Sequence, residues 1–194
     1  MLGSHNSLTY LPCRKWWMYL INWAAKCQNK TLVQQFHDGV NYFDIRVRFD
    51  KCGNPVIAHG LVEYKGKLEQ YMELLDNLAK HYDEKVYVRF VLEYNKEPKD
   101  VLRQTDSLNA LLIIYRGIYT NLIYDYSMRK WDEQDIIRYN LDTIYLTHKY
   151  SSCIGWKRFL WVPHWYAMIH NKKNIKENEI LIKGENTALM LDFI

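Results

Sequence analysis

No apolar run in these 194 residues reaches the length of a transmembrane helix, so the sequence holds no candidate span. There is no internal repeat and no low-complexity tract, which excludes solenoid and tail-like architectures. The four cysteines (Cys13, Cys27, Cys52, Cys153) form no CxxC pair and follow no zinc spacing. Reduced thiols in a cytosolic protein are the simplest reading, and one disulfide stays open. No nucleic-acid motif is found, and a net charge of +4 is too small to argue for nucleic acid. That mild excess favours an anionic surface or a phosphate-bearing substrate. No secretory leader is seen, because Gly-Ser-His-Asn follows Met1-Leu2 at once. A cytoplasmic or membrane-peripheral setting fits the chain as written, and a trimmed N-terminus would leave secretion open.

What is present is a globular composition, 48% hydrophobic, long enough for one domain over 1–194 with a good-sized core. Aromatics make up 15%, with 16 Tyr and 7 Trp, enough for an aromatic-lined site or a membrane-facing rim, though core use is the commoner explanation.

The chain is organised around Asn41 to Gly60. Its first half alternates: Tyr42, Asp44, Arg46 and Arg48 on one face of a strand, Phe43, Ile45, Val47 and Phe49 on the other. Asp50 to Asn54 supplies turn chemistry. Pro55 to Ala58 reads as a second short strand ending in His59-Gly60. A carboxylate, a guanidinium and an imidazole thus meet on neighbouring strands. The bland alternative is a solvated strand face with a loop histidine.

Upstream, a short apolar entry runs into the polar loop Gly3 to Ser7, which carries His5. Arg14 to Lys26 is predicted helical, with Trp16, Leu20 and Trp23 on one face and basic residues at both ends. An interfacial element and a buried helix are equal readings of it. A helix over Lys30–Asp38 stops at Gly39. Downstream, Leu68 to Tyr82 carries a helical stripe (Leu68, Tyr71, Leu74, Leu75, Leu78, Tyr82). Val86 to Tyr94 is a strand with Arg89 and Glu93 opposite Val88, Phe90 and Leu92. This fits a polar interior or an exposed edge. Lys99–Arg116 is a helix, Tyr119–Tyr126 a strand, Asp132–Tyr139 a short helix and Thr143–Tyr150 a strand. Trp156 to His170 is helix-rich, with three tryptophans (Trp156, Trp161, Trp165), and Ala188–Ile194 is a last strand holding Asp192.

Alternating strands and helices favour a parallel sheet with helices outside. A compact (β/α) barrel is the first choice and an open doubly wound sheet the second. The usual barrel is nearer ~250 residues, so several helices must be short or missing. His5, Asp44, Arg46, His59, Glu93 and Asp192 all fall late in, or just after, a predicted strand, where such a fold collects its active site.

Gly3-Ser4-His5-Asn6-Ser7, then Phe43-Asp44-Ile45-Arg46, then His59-Gly60 resemble, in order and spacing, the catalytic X region of phosphatidylinositol-specific phospholipase C. The closing Leu189-Met190-Leu191-Asp192-Phe193 resembles the last strand of its bacterial members, which ends in an acid. The resemblance implies an α/β fold of the distorted TIM-type barrel kind, reduced in size. It implies a phosphodiester cleavage yielding diacylglycerol and a cyclic inositol phosphate. His5 would be the general base, held in its tautomer by Asp192; His59 would be the general acid; Arg46 would brace the phosphate. Asp44 and Asn6 complete the implied catalytic set, and Arg89, Glu93 and Lys149 are the substrate-binding candidates.

Eukaryotic members place an acid where Arg46 stands and use calcium, held by an Asn and three acids. Bacterial members place an arginine there and need no metal. Arg46 therefore implies no cofactor, with Ca²⁺ at Asn6, Asp44 and Glu93 as the minority alternative. Most bacterial members have Asp where Asn6 stands and lysine where Glu93 stands, so the general acid and the headgroup contacts differ here. In bacterial members a short helix after the first histidine motif inserts aromatics into the bilayer; Trp16 and Trp17 occupy that place. The implied partner is an inositol phospholipid at a membrane surface, met by a monomer. Two other functions compete: glycerophosphodiester hydrolysis, which wants a metal on several acids, and a lipid-binding barrel without turnover, which needs no pair of histidines.

Overall fold

The structure, a computed structural model, describes residues 1–93, 98–126, 145–147, 167, 171, 175–176 and 187–194. Lys149, Cys153, the helix expected over 132–139 and Trp156, Trp161 and Trp165 lie outside the described residues.

The alternating stretch forms the central strand β2 (Val40–Phe49). On one side it pairs in parallel with β1 (Leu2–Ser4), which pairs in parallel with β8 (Thr187–Leu191), which pairs in parallel with β7 (Tyr145–Thr147). On the other side it pairs in parallel with β5 (Val86–Leu92), and β5 with β6 (Leu122–Tyr126). The far end of β2 turns back into β3 (Pro55–His59), antiparallel, and β3 into the short β4 (Val62–Glu63). The turn over 50–54 is too short for a parallel crossover, so β3 departs from the all-parallel expectation. Among the described residues no pairing joins β6 to β7. Among these residues the sheet is open and mainly parallel, in a mixed α/β fold, and the closed barrel expected from the alternation is not shown. The segment between those two strands lies outside the described residues.

Each face of β2 has its own fate. Phe43, Ile45, Val47 and Phe49 join Val86, Val88, Phe90 and Leu92 of β5 in the main core. Against them pack α3 (Leu68–Tyr82) and α4 (Pro98–Ile118). In α3 the buried residues are Leu68, Met72, Leu75 and Ala79, one helical stripe; Tyr82, expected on that stripe, is exposed. The opposite face of the sheet is layered. Tyr42 and Tyr87 stack at its base, sealed by Met1, Ala188 and Met190. Asp44 and Arg89 lie in register one step up, then Arg46 beside Val91. Apolar residues thus close one end of this face, and charge collects toward the carboxyl ends of the strands.

Gly3 lets β1 sit close against β8, where a Cβ would meet the Met190 sulfur and push that side chain aside. Phe49, the last residue of β2, is finished by a side chain: Gln104 of α4 accepts from its N–H at 2.7 Å and donates to its carbonyl at 2.8 Å. Gln104 is buried, so Gln104→Ala strands the Phe49 N–H and leaves its carbonyl only a 3.5 Å contact from Arg103. The expected cost is about 1–3 kcal/mol, read as a lowered urea midpoint with an unchanged slope.

Candidate active site

The carboxyl ends of β1, β2, β5 and β8 bring the charged residues together. β1 ends in register with Phe43 and Leu191, so His5 emerges between Asp44 and Asp192. Its N–H donates to the Leu191 carbonyl at 3.0 Å. Asn6 then takes a left-handed conformation (φ 49°), which its short polar side chain tolerates, and turns the chain sharply. The tight loop is held almost wholly by buried side chains. Ser7 Oγ donates to the Ser4 carbonyl at 2.9 Å and Thr9 Oγ1 to the Asn6 carbonyl at 2.9 Å. Gln35 accepts from Ser4 Oγ at 2.6 Å and donates to the Ser7 carbonyl at 3.0 Å. Gln28 donates to the carbonyls of His5 at 3.0 Å and Leu191 at 2.8 Å, tying the first histidine loop to the strand that carries Asp192.

His5 Nδ1 lies 2.7 Å from Asp192 Oδ1, and His5 Nε2 lies 2.7 Å from Arg46 Nη2. A guanidinium has only donors, so Nε2 is the acceptor and Nδ1–H donates to Asp192. This is the tautomer a general base needs, with its lone pair on the nitrogen that faces the cleft. Arg46, 7% exposed, is clamped on three sides. Nη1 donates to Glu93 Oε1 at 3.0 Å, and Nε and Nη2 each reach Asp44 Oδ2 at 3.3 Å. Glu93 Oε2 also accepts from the Gly60 N–H at 3.2 Å, which anchors the turn beyond His59.

Burial pushes the Asp44 carboxyl up, but Arg46, Arg89 and His5 outweigh it and hold it below the usual carboxylate range. Burial also works against the Arg46 charge, and Asp44 and Glu93 more than compensate, raising it. Arg89 has no exposed surface. Its sequence-based role as a substrate contact is corrected: from the neighbouring register position its charge acts on Asp44. Glu93 is equally interior and serves Arg46 and Gly60.

His59 ends β3, and its ring lies 6.2 Å from that of His5, edge to face. Its Nδ1–H donates to the Ala25 carbonyl at 2.6 Å, which leaves Nε2 as the acceptor. The Asn6 Nδ2 is shared by His5 Nε2 (3.3 Å), His59 Nε2 (3.3 Å) and Cys27 Sγ (3.2 Å). Burial, with Arg46 adding to it and Glu93 opposing, pushes His59 down to about 3. The imidazole expected to act as an acid near neutrality is therefore uncharged there. Cys27, buried beside both histidines, is held as a thiol well above its ordinary range by burial and by Asp192.

The segment that follows the first loop is the rim. The single helix expected over 14–26 is a 3-10 helix (Trp16–Leu20) followed by α1 (Asn22–Ala25). Aromatics all round cannot share one core: Met18 is buried, while Trp16 is 78%, Leu20 69%, Trp23 54%, Tyr19 53% and Trp17 40% exposed. Leu61, at the tip of the β3–β4 turn, is 71% exposed. The buried-helix reading is thereby overturned. The segment is fastened by a bridge between Cys13 and Tyr64 and by the Lys65 N–H to the Pro12 carbonyl at 2.8 Å.

Gln28, Gln35, Thr9 and Cys27 escaped the sequence reading. Each is a lone polar or thiol residue outside any periodic pattern, and only the folded loop reveals its partners.

The depressed His59 makes stability pH-dependent. The unfolded imidazole takes a proton below about 6.5, whereas the folded one resists until about 3, so the unfolded state binds the extra proton between them. The contribution is complete above that upper value and is lost as pH falls toward the lower one. In metal-free buffer the unfolding free energy should drop by up to about 1.4 kcal/mol per pH unit across this window, and His59→Gln should remove that slope. Urea titrations at a series of pH values measure it.

No protein-family model and no curated protein sequence matches the chain. Solved structures do. The phosphatidylinositol-specific phospholipase C of Listeria monocytogenes matches with a TM-score of 0.70 at 17% identity, over 100% of this chain and 87% of that one. A variant of the Staphylococcus aureus enzyme matches with a TM-score of 0.72 at 14% identity, over 100% of this chain and 84% of that one. A further Staphylococcus aureus structure, described as concerning modulation of membrane binding, matches at 0.62 and 13% identity, over 98% and 70%. The resemblance expected from the motifs is thus found as a likeness of fold: along its whole length this chain is similar to bacterial phosphatidylinositol-specific phospholipases C.

Proposed function

We propose that the chain is a phosphodiesterase that cleaves phosphatidylinositol-type lipids without a metal, in a single catalytic domain whose sheet is the wall of a reduced, distorted TIM-type barrel. The observation that carries it is one cleft holding His5 on Asp192 and, across from it, His59, with Arg46 against the His5 lone pair.

The incoming phosphodiester draws Arg46 Nη2 onto its oxygens, where charge builds in the transition state. His5 Nε2 is thereby freed to accept the proton of the inositol 2-hydroxyl, and Asp192 stabilises the imidazolium that forms. The 2-oxygen attacks phosphorus, the bond to the glycerol oxygen breaks, and His59 Nε2–H gives that oxygen a proton. The products are diacylglycerol and a cyclic inositol phosphate. For this step His59 must gain a proton when the anion binds, and the phosphate charge supplies the driving force. Arg46 occupies the middle of the Asn6, Asp44 and Glu93 set, so a Ca²⁺ ion would have to displace a buried guanidinium. The exposed Trp16, Trp17, Tyr19, Leu20, Trp23 and Leu61 give the cleft an apolar rim suited to a lipid surface.

One observation favours the non-catalytic lipid binder: at rest His5 is covered by Arg46 and His59 is uncharged. Phosphodiester binding separates the readings. Calorimetry in two buffers of unlike ionisation enthalpy should show uptake of a proton near pH 7 on binding a soluble phosphodiester, which has no ionisation of its own near that pH. Zero uptake removes His59 as the acid. Turnover of phosphatidylinositol in mixed micelles should persist in EDTA and fall roughly 10²–10⁴-fold in His5→Ala; a strict Ca²⁺ requirement would instead mean that the carboxylates hold metal. Trp16→Ala with Trp17→Ala should weaken vesicle binding by at least about tenfold and spare cleavage of a soluble inositol phosphodiester. Equal loss on both substrates would assign the tryptophans to packing.

A further inference from the structure

Cys27 lies in the cleft with no part in this chemistry. Its Sγ is 3.2 Å from Asn6 Nδ2 and 4.0 Å from His59 Nδ1. One ligand atom each from His5, Cys27 and Asp192 lie within 4.8 Å of one another. An imidazole nitrogen, a thiol sulfur and a carboxylate oxygen are the donors that Zn²⁺ and Cd²⁺ take in sites with three protein ligands and an open fourth position. Ca²⁺ wants about six to eight oxygens and is poorly served here.

A second feature points the same way. Asn6 is 2% exposed, and its Oδ1 is buried without a hydrogen-bond partner. The nitrogen of that same amide touches both Cys27 Sγ and His5 Nε2. Turning the amide over presents Oδ1 to an ion held by the sulfur and the imidazole. Charge agrees: the carboxylates of Asp44, Glu93 and Asp192 outnumber the guanidiniums of Arg46 and Arg89, which leaves the cluster able to accept positive charge.

We infer that His5, Cys27 and Asp192 form a site for a thiophilic divalent cation of the Zn²⁺ class, and that its occupancy silences the cleft. Binding forms a metal–sulfur bond and releases the thiol proton to solvent; no electron is transferred. Ligand atoms on one such ion stand roughly 3–4 Å apart, given bonds of about 2.0–2.3 Å. An ion on His5 Nδ1 must therefore open the 2.7 Å contact with Asp192 and leave the ring proton on Nε2, whereas an ion on Nε2 displaces Arg46 from the lone pair. The ion takes either the His5 lone pair or the contact that orients the ring, and either removes the base. The binding half stands on the ligand geometry alone. The silencing half rests on the reading of His5 as base.

The test titrates the whole, chelator-stripped protein with Cd²⁺ and follows the ultraviolet thiolate-to-metal charge-transfer absorption. Saturation at one equivalent is expected in the wild type and in Cys52→Ser. Cys27→Ser should lose the absorption and bind at least about tenfold more weakly, since losing a ligand costs no less than losing an outer-shell partner. Absence of the band in wild type, or its full retention in Cys27→Ser, overturns the site. Should Cys27→Ser fail to fold, Asp192→Asn decides: the band should persist with affinity reduced about tenfold, and unchanged affinity overturns the site. For silencing, turnover with and without Zn²⁺ is compared within each variant. The wild-type ratio should fall and the Cys27→Ser ratio should not. A wild type that binds the metal and turns over unchanged overturns the silencing. Binding by a protein that turns over in neither condition counts against the proposed function and leaves the metal site standing.

Discussion

The structure turns on one buried guanidinium. Arg46 is removed from water and held by Asp44, Glu93 and the His5 lone pair. Taking such a charge out of water costs several kcal/mol, which the surrounding carboxylates offset only with good geometry. The arrangement fixes where things are. Asp44 stays ionised because Arg46 and Arg89 flank it. Glu93 faces Arg46 and in turn holds the turn beyond His59. The same Nη2 caps the lone pair of His5.

The loop that carries His5 is interior, and its polar groups are met by buried side chains and by backbone. Gln28, Gln35, Thr9, Ser4 and Ser7 satisfy a sharply turned backbone and tie it to β8 and α2 (Leu32–His37). The rim is joined to the chemistry as directly. The last residue of α1, Ala25, accepts the bond that fixes the His59 tautomer. The exposed aromatics just upstream lie on the same short segment, so anything that grips the rim bears on His59.

Much of this was legible before folding. The strict alternation of β2 separates a core face from a polar face, because side chains alternate across a strand whatever its neighbours. The ends of α3 follow from its stripe and from the residues that interrupt it. His5, Asp44, Arg46, His59 and Asp192 stand out because imidazoles and paired charges at strand ends are costly without a purpose. The rim was half legible: aromatics on every side said that not all could be buried, but not which would be left out. Arg89 misled, since alternation puts it on the polar face without saying that the face is sealed there by Tyr42 and Tyr87.

The sequence by itself determined which residue types reach the carboxyl ends of the strands, since periodicity and turn chemistry act within a few residues. It also determined the order of the motifs and the absence of an acid where Arg46 stands. Only the tertiary structure decided that β3 folds back on β2, that Arg46 covers the His5 lone pair, that His59 rests uncharged, and that Cys27 meets His5 and Asp192. These are consequences of burial and of contacts between residues far apart in the chain. Protonation state and ligand geometry depend on the field and the desolvation at one point in space, and no local pattern encodes that sum.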